Sequence, residues 1–128
     1  YNLFSKNKTL CIDGDGSLLM HMGNISSIGN FNSNMIYILL NNNHHESVGG
    51  QTTNSFNTKF HDIAKACNFN KTFNIFKKDD LIKILSNKEI IDNGPIFIEV
   101  KINSGTIENL GRPDNSFRDI KNKFMNDL

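Results

Sequence analysis

Two short polar turns carry the residues of this sequence that could do chemistry together. The first is Asp13-Gly14-Asp15-Gly16-Ser17 and the second Asn41-Asn42-Asn43-His44; each leaves an apolar run, and Asp15 and Asn42 lie 27 positions apart. Asp15 offers a hard carboxylate oxygen and Asn42 a neutral amide oxygen. Mg²⁺ takes oxygen ligands of this kind and completes its octahedron with phosphate oxygens and water. Gly14 and Gly16 let the backbone come close to an anion. A helix opening at Ser17 would add free N–H groups and a positive dipole end. The pattern points to a divalent cation seated on a diphosphate between two turns.

Competing motifs fit less well. An EF-hand loop begun at Asp13 needs Gly at position 18 and Glu at 24, where the chain has Leu18 and Asn24. A dinucleotide-binding loop begun at Gly14 needs a small residue where Leu19 stands, and no Gly-Lys-Ser/Thr of a P-loop occurs. A zinc site from His44, His45 and His61 lacks the usual ligand spacing. A Gly-Asp-Gly turn without a ligand stays open on these residues alone.

The elements that must position the turns read as alternating strands and helices. Thr9–Ile12 is an apolar run stopped at Asp13-Gly14, a buried strand. Leu18, Met22 and Ile25 recur at helical spacing, which predicts one helix over 17–28, ~18 Å long, stopped by Gly29. Met35–Leu40 is apolar at every position, the mark of a parallel strand covered on both faces. The segment from Asn41 to Asn54 is a long polar loop, of the kind that is usually functional. Phe60, Ile63, Ala64 and Cys67 mark an amphipathic helix, 72–76 a strand, Asp79-Asp80 the acidic start of a helix with Leu81, Ile84 and Leu85 inward, and 96–102 a last strand with Glu99 and Lys101 alternating out. A polar tail runs from about 103, with a short helix near Phe117–Phe124. This order predicts an α/β fold: a parallel sheet with helices on both faces, Rossmann-like, in one domain over 1–128. In such sheets ligands bind beyond the carboxyl ends of the strands, which both turns leave.

Composition narrows the function. The chain has 128 residues, 14 basic and 13 acidic, for a net charge of +1, so no strong field selects nucleic acid or an anionic membrane. No apolar run approaches the ~18 residues of a transmembrane helix. Cys11 and Cys67 read as two buried free thiols, which fits a reducing, cytoplasmic setting. His21 reads as a structural histidine packed on the first helix and His61 as a surface residue. His45 and Glu46 follow the second turn, where a substrate could lie; they are candidates for substrate contact or proton transfer, against a purely structural loop role. Arg112, at a Gly-Arg-Pro break, could take an anionic group bidentately, against the plainer reading of a solvated tail.

Gly-Asp-Gly-Ser followed by a strand ending in Asn-Asn resembles the cofactor motif of the thiamine-diphosphate-dependent decarboxylase family. More locally, Asp13–Gly23 and Asn42–Gln51 are similar to the phosphonopyruvate decarboxylases of that family, as is Leu110-Gly111-Arg112-Pro113. The resemblance covers nearly the whole chain and corresponds to the C-terminal diphosphate-binding (PP) module. It implies thiamine diphosphate and Mg²⁺ as cofactors, with Asp15 and Asn42 binding the metal through side-chain oxygens and His44 through its carbonyl. It also implies Gly14, Gly16 and Ser17 around the diphosphate. Asn43 and Thr52 depart from the residues frequent in relatives, and both lie in the loop. The implied reaction is decarboxylation of a 2-oxo acid, phosphonopyruvate first and sulfopyruvate as the rival, with the thiazolium as electron sink. A non-catalytic cofactor-binding module is the rival of another class. The resemblance further implies that the essential Glu comes from a pyrimidine-binding (Pyr) module outside this sequence, upstream or on a separate subunit. The expectation is therefore a fragment, inactive alone, working in a homo- or hetero-oligomer.

Overall fold

The computed structural model describes residues 7–111 and 113–127. Strand β1 spans Thr9–Gly14, helix α1 Asp15–Met20, helix α2 Gly23–Asn30 and strand β2 Met35–Asn41. After a loop with two 3-10 turns come α3 (Phe60–Ala66), β3 (Lys71–Ile75), α4 (Lys78–Ser86), α5 (Lys88–Ile91), β4 (Ile96–Lys101) and α6 (Phe117–Asn126). The four strands form one parallel sheet in the order β1-β2-β4-β3.

Alternation along β2 explains its unbroken apolar sequence. Tyr37 and Leu39 face one side, where they meet Leu18, Ile25, Phe60, Ala64 and Phe97 beneath α1–α3. Ile36 and Ile38 face the other, where they meet Ile75, Ile84, Ile96 and Ile98 beneath α4. Strands covered on both faces carry no polar alternation, and the α/β sheet with helices on both faces is as the sequence predicts. Tyr37 stacks on Phe97 at 5.5 Å and Phe69 meets the same ring edge-on at 5.8 Å, which ties the sheet to the loop after α3.

The register does the positioning. Asp13 pairs with Leu39 and Gly14 with Leu40, so Asp15 and Asn41 are the next residues off neighbouring strands. Parallel neighbours lie ~4.8 Å apart, so the two polar turns must emerge side by side.

Several expectations need correction. The single helix over 17–28 is two helices broken at His21-Met22, because His21 leaves helical geometry at φ −131°. His21 is consequently exposed rather than packed. Gly29 does not stop the helix; it lies buried inside α2, where a Cβ would strike the carbonyl of Cys67. The chain turns instead at Asn32, at φ +45°. The third strand begins and ends one residue earlier than expected and leaves Phe76 70% exposed. Helix α5 is an addition, capped by the Asn87 side chain, which accepts from Ile90 N–H. Glu99 and Lys101 do share the face opposite Ile98, but that face is covered by α3, and Glu99 is 1% exposed. The two cysteines are free and half-buried rather than buried. Burial, and secondarily the carboxylate of Asp13, pushes the Cys11 thiol pKa up, which keeps it protonated and unreactive. No helix among the described residues is long and apolar enough to cross a membrane.

Gly29→Ala tests the packing of α2 on α3. Forcing a methyl into backbone should cost ~1–3 kcal/mol, read as a lower urea midpoint with an unchanged slope. An unshifted midpoint would contradict this close approach.

Candidate functional site

Asp15 is the first residue of α1 and is 2% exposed. A carboxylate so buried needs hydrogen-bond donors, and the loop before α3 supplies them. Thr53 Oγ1 donates to Asp15 Oδ2 at 2.5 Å and Ser55 Oγ donates to the same oxygen at 2.7 Å. Ser55 Oγ also lies 2.9 Å from Asn43 Oδ1. One hydroxyl carries one proton, so the network closes when the Asn43 amide turns over and donates its Nδ2–H to Ser55. Both hydroxyls then serve Oδ2. Among the described residues no donor meets Asp15 Oδ1.

The second turn is shaped by its own asparagines. Asn41 Oδ1 accepts from Asn43 N–H and Asn42 Oδ1 from His44 N–H, both at 3.0 Å. Asn43 takes the left-handed conformation at φ +62°, which asparagine tolerates better than most residues. His44 Nδ1 lies 2.8 Å from the carbonyl of Asn42, which fixes the ring over its own turn. His44 pairs with Thr52 in an isolated antiparallel bridge, so Thr53 N–H donates to Asn43 and His45 N–H to Gln51. That bridge carries Thr53 and Ser55 back under Asp15. No hydrogen bond reaches the His44 carbonyl among the described residues.

Both turns open into one cleft of about 440 Å³, whose walls include Asp15, Gly16, Ser17, Asn42 and His44. Three of the residues that line it have spare oxygen lone pairs: Asp15 at Oδ1, Asn42 at Oδ1 and His44 at its carbonyl. Among the described residues there is no group of three His, Cys, Asp or Glu side chains that could hold a metal. A partial set of hard oxygens suits Mg²⁺, which keeps waters and takes substrate phosphates rather than a full protein cage. No side chain caps the N-terminus of α1, leaving the Gly16 and Ser17 N–H groups to an outside acceptor. Helix α1 has only six residues, so these local N–H groups matter more than the long crossover dipole expected from sequence.

The flanking residues follow from the same packing. A Cβ on Gly16 would overlap the imidazole of His45, so the ring lies directly against the glycine turn. Glu46 lines the cleft while its Oε1 accepts from Gly105 N–H at 2.7 Å, tying the tail to the cleft wall. Asp13 braces the first turn from outside: Gly14 N–H donates to its Oδ1 at 2.8 Å and the Tyr37 hydroxyl to its Oδ2. Burial first, then that hydrogen bond and the Asp13 charge, hold Tyr37 protonated well above the ordinary tyrosine range. His61 is not a free surface residue; its ring lies 3.4 Å from Glu99. Arg112, the candidate for an anionic group, lies outside the described residues.

Sequence reasoning missed Thr53, Ser55 and Glu99. Hydroxyl residues in a polar loop carry no periodic signal, since only the His44–Thr52 bridge brings them to Asp15. A lone acid in an otherwise apolar strand was the available signal for Glu99.

Residues 3–100 match the family described as thiamine pyrophosphate enzyme, C-terminal TPP binding domain. A phosphonopyruvate decarboxylase of Streptomyces viridochromogenes is 30% identical over 123 residues, 95% of this chain and 31% of that protein. The sulfopyruvate decarboxylase subunit beta of Methanococcus maripaludis is 30% identical over 122 residues, 93% of this chain and 63% of that protein. That of Methanocaldococcus jannaschii is 42% identical over 64 residues, 48% of this chain and 34% of that protein. The chain thus spans about a third of the phosphonopyruvate decarboxylases it matches.

Thr53→Val removes one of the two donors to a buried carboxylate. It should lower stability by ~1–3 kcal/mol in a denaturant melt, with Thr53→Ser recovering most of the loss. Equal stability of Thr53→Val and the parent would show that Thr53 does not serve Asp15.

Proposed function

The chain belongs to the thiamine pyrophosphate enzymes, by their C-terminal TPP-binding domain, and on that premise we propose that it is the thiamine-diphosphate/Mg²⁺-binding module of a non-oxidative 2-oxo acid decarboxylase. The preferred substrate is phosphonopyruvate, giving phosphonoacetaldehyde and CO₂. The reading is supported by Asp15, Asn42 and His44 lining one cleft beside the uncapped start of α1.

In this reading Asp15, Asn42 and His44 hold Mg²⁺, and Gly14, Gly16 and Ser17 face the diphosphate. When bound, the cofactor supplies an electron sink for the carbon–carbon bond that breaks as CO₂ leaves. Thr53 and Ser55 keep Asp15 in place with one oxygen forward. His45 and Glu46 stand at the wall where a substrate would lie: His45 offers a ring nitrogen for proton transfer, and Glu46 fixes the rim through Gly105. The glutamate that activates the cofactor comes from a Pyr module, on the same or another polypeptide, so the working protein is an oligomer. The two free thiols fit a reducing, cytoplasmic compartment.

A second reading, a sulfopyruvate decarboxylase subunit, is favoured by the larger share of the Methanococcus maripaludis subunit that the chain spans. The resemblance of the His45-Glu46-Ser47 run to the phosphonopyruvate enzymes favours the first.

Calorimetry on the complete protein should show thiamine diphosphate binding that requires Mg²⁺. Asp15→Ala should weaken it by at least about 100-fold, in line with the ~3–5 kcal/mol lost when one partner of a buried charged site is removed. Turnover of phosphonopyruvate over sulfopyruvate assigns the substrate. Binding unaffected by Asp15→Ala would instead mark a module that kept the fold without the chemistry.

A further inference from the structure

Glu99 is the most deeply buried acid outside the cleft, at 1% exposure in the middle of the sheet. Its Oε1 accepts from Asn41 Nδ2 at 2.8 Å and from Lys101 Nζ at 2.6 Å, and its Oε2 lies 3.4 Å from His61 Nδ1 on α3. Burying an ion pair contributes little stability compared with an apolar pair of similar volume, and the in-register neighbour of Glu99 on β2 is Leu39. Stability alone therefore does not account for an acid here.

The hydrogen bond to Asn41 does. Asn41 has no exposure to solvent, and its amide could face either way. A carboxylate accepts only, so Glu99 compels the Asn41 NH₂ toward itself and the Asn41 oxygen toward Asn43 N–H. That bond holds Asn43 at its left-handed φ of +62°, the bend between Asn42 and His44, both of which line the cleft. The backbone joins in, since Ile102 N–H donates to the Asn41 carbonyl at 3.0 Å.

We infer that Glu99 is a positioning residue for the cation site: through Asn41 it sets the shape of the Asn41–His44 turn, while touching neither cation nor cofactor. The inference rests on the proposed role of Asn42 and His44 as metal ligands. Partners one step behind metal ligands change metal affinity by roughly 10–100-fold when removed.

The test uses the complete protein and measures the Mg²⁺ concentration that half-saturates thiamine diphosphate binding, alongside thermal unfolding without ligands. Glu99→Leu and Asn41→Ala should each raise that concentration by about tenfold. The double variant should raise it no further, because both break one link. Glu99→Gln keeps an oxygen for the Asn41 NH₂ and should stay within about threefold of the parent. A merely structural role would lower the unfolding temperature and leave the Mg²⁺ requirement unmoved, and that result overturns the inference. If Glu99→Leu does not fold, Asn41→Ala decides by the same criterion. Asp15→Ala separates the two layers: if it abolishes Mg²⁺-dependent binding while the Glu99 and Asn41 variants have no effect, only the positioning role fails. If Asp15→Ala has no effect either, the cation site fails and the positioning role falls with it.

Discussion

A carboxylate with 2% exposure is the constraint on which the rest of this structure depends. Asp15 sits where β1 gives way to α1, and leaving its charge without donors would cost several kcal/mol. The chain answers with a long excursion: out from β2, back across the His44–Thr52 bridge, and under Asp15 with the hydroxyls of Thr53 and Ser55. Only one carboxylate oxygen is satisfied this way. The same excursion places Asn42 and His44 in the wall of the cleft that Asp15 lines.

The two turns are braced by different chemistry. The first is held from both sides, by Thr53 and Ser55 on Asp15 and by Tyr37 and Gly14 on Asp13. The second depends on side-chain amides folding onto their own backbone, with Glu99 orienting Asn41 from the sheet. The sheet-borne braces, Tyr37 on Asp13 and Glu99 on Asn41, spring from the face that carries Leu39 and Phe97. The opposite face is mainly aliphatic and packs the core, with Leu40 also reaching the cleft wall.

The legible part of this molecule was whatever repeats or stands at a turn. The unbroken run Met35–Leu40 revealed a strand covered on both sides, and the Asp15–Asn42 spacing revealed two turns off neighbouring strands. Helix interiors were less legible. Leu18, Met22 and Ile25 keep helical spacing through the break at His21, because both short helices bury the same side. Gly29 looked like a stop, yet what requires glycine there is the Cys67 carbonyl on a distant helix end. Glu99 alternated as expected, but alternation names a face without saying what covers it. Thr53 and Ser55 could not be read, since their partner is 38 and 40 positions away and no local pattern encodes it.

The most direct measurement is a crystal structure of the complete protein with thiamine diphosphate and Mn²⁺, a stand-in for Mg²⁺ whose anomalous signal locates the ion. One peak should appear in the cleft at about 2.1 Å, the octahedral Mg²⁺ distance, from Asp15 Oδ1, Asn42 Oδ1 and the His44 carbonyl, with diphosphate oxygens beside it. An ion bound with the cofactor but out of reach of those three oxygens would rule out the Asp15–Asn42–His44 site.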